Sequence, residues 1–97
     1  MLYLIQLTYL RPLAEIDAQL AAHRAFLAEH FAAGRFLLAG PQEPRVGGVI
    51  LARGESRAAI EAIVGQDPFL LTGVASAQIT AFHPSRKAED VPAGWLD

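Results

Sequence analysis

An α+β domain, with a four-stranded antiparallel sheet carrying its helices on one face, is predicted by three features of this chain. Four short runs rich in β-branched and aromatic residues alternate with two stretches of helical period, in the order β-α-β-β-α-β. The first and third runs are apolar on both sides, which assigns them to the middle of the sheet with cover needed on both faces. Hydrophobic residues occupy 53% of the 97 positions and charged ones 19%, the balance of one ordered globular domain over 1–97.

The first strand is Leu2-Tyr3-Leu4-Ile5-Gln6-Leu7-Thr8-Tyr9, ended by Arg11-Pro12. Its odd positions make one apolar face, and Leu2, Leu4, Gln6 and Thr8 make a mixed one. From Asp17 to Ala33 the period becomes helical, with Asp17 as N-cap and Gly34 at the left-handed C′ position. Ile16, Leu20, Leu27 and Phe31 form its stripe, and His23 fills the gap between Leu20 and Leu27, centred on the face turned to the core. Arg35 to Ala39 is a short strand stopped by Gly40-Pro41, and the following stretch to Gly48, with Pro44, Gly47 and Gly48, is a hairpin loop. Val49 to Arg53 is the third strand. Ser56 caps a second helix that buries Ile60, Ile63 and Val64 and closes at Gly65. Asp67-Pro68 starts one further turn, as N-cap and first-turn proline, that ends at Gly73. Ala75 to Phe82 is the last strand, and the charged tail 84–97 is irregular apart from Trp95. This order is the ferredoxin-like split arrangement, whose right-handed crossovers put both helices on the same side of the sheet. The other face then exposes an apolar patch, which two sheets packed face to face would cover, so a homodimer is expected.

Composition excludes several functions. Without cysteine there is no disulfide framework, thiolate metal site or cysteine nucleophile. A net charge of −2 argues against nucleic acid. No apolar run reaches the ~20 residues of a membrane helix, and the apolar start lacks the basic flank and cleavage site of a signal peptide, so a soluble cytoplasmic protein is expected. His23 and His30 are separated by about 10.5 Å of helical rise, too far to share a metal ion. Gly47-Gly48 leads into a strand and cannot present a helix N-terminus to phosphate. No metal, flavin or nicotinamide is expected.

The candidate chemistry centres on His23. An imidazole on an apolar helical stripe needs its nitrogens satisfied, and the pattern alone favours a core histidine bonded to a backbone carbonyl over a functional one. Asp67 reads first as a helix cap, and its second oxygen would stay free for another donor. Tyr9 ends a strand, where it either packs on the sheet or faces a ligand. Arg53 and Arg57 flank a strand end and a helix start, positions that are ordinarily solvated.

The ordered set Tyr3…Leu7-Thr8-Tyr9, His23-Arg24-Ala25-Phe26-Leu27, Gly34-Arg35…Gly40-Pro41, Gly48-Val49-Ile50-Leu51-Ala52-Arg53-Gly54-Glu55-Ser56-Arg57 and Asp67-Pro68-Phe69 resembles the YCII-related (YciI-like) family of the dimeric α+β barrel superfamily. The likeness spans nearly all of 1–83, and the tail lies outside it. It implies a ferredoxin-like dimer with a histidine–aspartate pair in a pocket, the matching positions being His23 and Asp67. One branch of the family dehydrochlorinates chlorinated aromatics, and fold relatives are isomerases, decarboxylases and monooxygenases of small cyclic compounds. The expectation is therefore a cofactor-independent lyase or isomerase that uses His23 and Asp67, with Tyr9, Arg53 and Phe69 as substrate contacts. The alternative is a non-catalytic dimeric module that holds a small ligand in the same pocket.

Overall fold

The computed structural model describes residues 1–96. Along the chain run β1 (Leu2–Tyr9), α1 (Leu13–Ala18), α2 (Leu20–Ala32), β2 (Phe36–Pro41), β3 (Gly47–Arg53), α3 (Arg57–Val64), α4 (Pro68–Leu71) and β4 (Ala75–Phe82), followed by one 3₁₀ turn at Ala93–Leu96. The strands form one antiparallel sheet in the order β2-β3-β1-β4. β1 and β3 are its inner strands, as their two-sided apolar pattern requires.

One face of the sheet holds the core. Tyr3, Ile5 and Leu7 of β1 and Ile50 and Ala52 of β3 are buried against Ile16, Phe26, Ile60, Val64 and Phe69 from the helices. Each large side chain removed from water in this way contributes roughly 1.5–3 kcal/mol. The opposite face carries Leu38, Leu51, Leu4 and Thr80 in one transverse row, of which all but Leu51 are exposed. Among the described residues, no helix is long and apolar enough to cross a membrane.

The first helical region differs from its sequence expectation. It begins at Leu13 behind Pro12, not at Asp17, and a break at Gln19 divides it into α1 and α2. Pro12 accepts the first helical hydrogen bonds from Glu15 and Ile16, and its fixed φ of −57° suits a chain entering a helix. The ion pair between Arg11 and Glu15, one turn apart, supports that start. Asp17 therefore caps nothing; it lies exposed in the last turn of α1.

The break also rotates the stripe. The buried residues of α2 are His23, Phe26 and His30, while Leu20 and Leu27 are half-buried and Phe31 is exposed. β2 runs through Gly40-Pro41 instead of stopping there, and β3 starts at Gly47, inside the expected loop. Gly47 is required for close approach, since a Cβ there would lie 1.9 Å from the Leu7 carbonyl oxygen. Gly34 has φ of +76°, as a left-handed helix terminus demands.

Candidate active site

Asp67 is where local structure and long-range packing meet. It precedes Pro68, and its Oδ1 accepts the Phe69 backbone N–H at 2.9 Å, so it is the N-cap of α4. The same oxygen also lies 2.9 Å from Nδ1 of His23, across 44 positions of sequence. Both partners thus share Oδ1; the free second oxygen of the sequence reading does not take the histidine. Oδ2 is instead buried and pairs with no described residue. The carboxylate is 1% exposed.

A buried carboxylate can only accept, so the proton between the two groups belongs to His23 Nδ1. Nε2 then carries the lone pair, and no described residue hydrogen-bonds it. Phe69 fixes the ring plane: its ring stacks on the imidazole at a centroid distance of 3.9 Å and an angle of 5°. Tyr9 meets Phe69 edge-on at 6.0 Å. One short turn, Asp67-Pro68-Phe69, thereby holds the imidazole by a hydrogen bond on one nitrogen and by its face.

His23 and Phe69 line a cavity of about 420 Å³ between α1–α2 and the sheet. Its walls are mainly apolar, including Leu7, Leu20, Leu27 and Ile50. This is within the size range of small-molecule sites, which combine apolar walls with a few fixed polar groups. The polar lining comprises Tyr9, His23, Arg24, Arg45 and Asp17. Arg45 pairs with Asp17 at 2.5 Å, and its guanidinium is held above its usual range, first by that hydrogen bond and to a lesser extent by Tyr9.

The structure brings together four of the five expected site residues, His23, Asp67, Tyr9 and Phe69. Arg53 stands apart. Its side chain is exposed at the end of β3, donates from Nε to the Gly34 carbonyl at 3.0 Å and does not line the cavity, so it is a fold contact that ties β3 to the end of α2. Arg45 falls in the expected loop and Asp17 reads as a helix cap, so neither local segment announces the pair they form. Their contact spans 28 positions. Among the described residues, no group of three or more histidine and carboxylate side chains is arranged to hold a metal ion.

Comparison with known proteins agrees with the fold. The family model of the YCII-related domain matches residues 1–83. Among solved structures, the chain is similar to TftG, the 5-chloro-2-hydroxyhydroquinone dehydrochlorinase of Burkholderia phenoliruptrix AC1100, solved in complex with 2,5-dihydroxybenzoquinone. The two share 25% identity with a TM-score of 0.70, covering 84% of this chain and 93% of that one. None of the curated proteins matches this sequence.

Proposed function

We propose, because the chain belongs to the YCII-related domain family, that it is a small-molecule enzyme of lyase or isomerase type that moves a proton on a cyclic compound through His23. One observation carries this reading. His23 is pinned through Nδ1 to a buried carboxylate and leaves Nε2 unpaired beside an apolar cavity. Histidine is the side chain most often used as a general acid and base, because it can accept and return a proton.

The chemistry follows from that geometry. Nε2 takes a proton from an acidic O–H or C–H of the ring, and the Asp67 carboxylate stabilises the imidazolium that forms. The electrons left on the ring either expel a leaving group as its anion or collect a proton at another atom. The first course is an elimination and the second an isomerisation. Elimination of HCl is favoured by the likeness to TftG, a dehydrochlorinase. In that case chloride departs to solvent, and the imidazolium proton follows it.

Chloride release and ultraviolet absorbance, measured on chlorinated hydroxyquinones, cyclic enols and lactones, test this reading. The wild-type chain should turn over one of these classes, and His23→Ala should not. Full activity in His23→Ala would falsify the dyad. Saturable binding without turnover across all three classes would leave the non-catalytic binding module in its place.

A homodimer belongs to the same reading, and it is supported by the uncovered sheet face with exposed Leu4, Leu38 and Phe82. Light scattering should give twice the 10.4 kDa chain mass, and a monodisperse monomer at micromolar concentration would remove the dimer from the proposal.

A further inference from the structure

The loop between β2 and β3 brings a guanidinium to the cavity. Arg45 lines the same space as His23, at its solvent side, with the side chain 37% exposed. Its backbone is held in place: the Tyr9 N–H donates to the Val46 carbonyl at 2.9 Å, and the Val46 N–H to the Pro44 carbonyl at 2.8 Å. Arg45 is therefore placed by the end of β1, beside Tyr9.

Its ion pair is one that a ligand can displace. Asp17 engages only Nη2, through a single oxygen, and is itself 53% exposed. Exposed pairs of this kind are weak, because water competes for both partners. A guanidinium has five N–H donors in a planar fork, so most of Arg45's donors remain for a second oxygen. Among the described residues, Asp17 supplies the only carboxylate in the lining, whereas Arg24 adds a second positive charge from α2. The Asp67 charge lies buried behind His23. From Arg45 the lining passes through Tyr9 to Phe69, and Phe69 stacks on His23. A planar ring in this space can present one edge to Nε2 and another to the guanidinium.

We propose that Arg45 is the anion-binding, specificity-determining residue of the cavity. Asp17 is its resting counter-ion, and the ligand is a planar ring compound with a negatively charged oxygen, an enolate, phenolate or carboxylate, that displaces Asp17. This rests on the reading of the cavity as the ligand site. The two can nevertheless fail separately: turnover retained by His23→Ala removes the dyad, whereas the binding ratios below do not depend on turnover.

Calorimetric titration of the full chain with two probes tests it. One is 2,5-dihydroxybenzoquinone, an acidic enol that is anionic at pH 7, and the other is hydroquinone, a neutral ring of similar size. The wild-type chain should bind the anion at least about tenfold more tightly, with the preference shrinking as salt is added. Arg45→Met should bring the two affinities to within about twofold, and Arg45→Lys should restore part of the preference. Asp17→Asn should tighten binding of the anion about threefold and leave hydroquinone unchanged. Circular dichroism and urea unfolding of each variant separate loss of fold from loss of charge selectivity. An unchanged ratio in a folded Arg45→Met, weaker anion binding in Asp17→Asn, or no binding of either probe at millimolar concentration would overturn the inference.

Discussion

Two buried histidines sit on α2, and they are opposites. His23 is 8% exposed and His30 is 7% exposed, so burial does not distinguish them. Their partners do. His23 donates from Nδ1 to a buried carboxylate, which leaves Nε2 with its lone pair beside a cavity. His30 accepts on Nδ1 from Nη1 of Arg35 at 3.3 Å, which puts its proton on Nε2, 3.8 Å from the Glu29 carboxylate. Its ring is packed between Phe26 and Phe36, at 4.8 and 5.0 Å, and it does not line the cavity. Burial holds the His30 imidazole below its usual 6.5; Glu29 pulls the other way and Arg35 adds to the lowering.

The difference shows that an inward-facing histidine becomes a candidate base only when its partner is an acceptor and its other nitrogen reaches a ligand. With a cationic donor as partner, the same side chain is a neutral packing group. Sequence spacing alone cannot separate the two, since both fall on the inner face of one helix.

The sharpest way to break the comparison is to remove each imidazole. His23→Ala should lower turnover on the true substrate about 10²- to 10⁴-fold, the usual contribution of general acid–base catalysis. His30→Leu should change it less than about threefold, because His30 has no outlet to the cavity. Steady-state kinetics on both variants decide it, and equal losses would erase the distinction.

The second test concerns the partner's sign. Asp67→Asn keeps an oxygen for the Phe69 N–H, so the cap survives. His23 Nδ1 shares that oxygen, so the tautomer survives with the cap, and what the variant loses is the negative charge that stabilises the imidazolium. Turnover should fall by about 10²-fold, less than in His23→Ala, while stability drops by about 1–3 kcal/mol. An Asn variant with wild-type turnover would show that the carboxylate is only a cap.

A third test uses pH. The folded state lowers the proton affinity of His30, so between the folded and unfolded values the unfolded chain binds more protons and stability rises with pH. The His30 contribution is complete above the usual value of 6.5 and is lost as pH falls below it, until the folded value is passed. Urea midpoints of the wild-type chain should decline over that window, and His30→Leu should flatten the decline. A slope that persists undiminished in His30→Leu would assign it to other groups.

The smallest effect is expected from Arg35→Met, which takes the donor from His30. The His30 titration followed by NMR should move upward, since Arg35 is one of the groups holding it down, and the His23 ring signals should not move. A shift at His23 would show that the two rings are coupled through Phe26, which lies 6.4 Å from His23 and 4.8 Å from His30.

Local pattern determined much of this molecule. Alternation along Leu2–Tyr9 and Ala75–Phe82 marks the strands, Ser56 and Asp67 cap the helices they precede, and Gly34 takes the left-handed turn. These properties belong to a few consecutive residues and the backbone angles they favour, so they are present in the sequence before any tertiary contact forms. His23 on an inward helical face was legible on the same grounds. Its meaning was not, because a core histidine and a functional one leave the same helical spacing. The shift of the buried face away from Leu20, Leu27 and Phe31 toward Phe26 and His30, with His23 kept on it, depended on how the chain turns through Gln19 and seats on the sheet. The contact from His23 to Asp67, and that from Arg45 to Asp17, join residues 44 and 28 positions apart. Only the packing of helices on a sheet of set order brings such pairs within a hydrogen bond, since nothing in either local segment specifies the path of the chain between them.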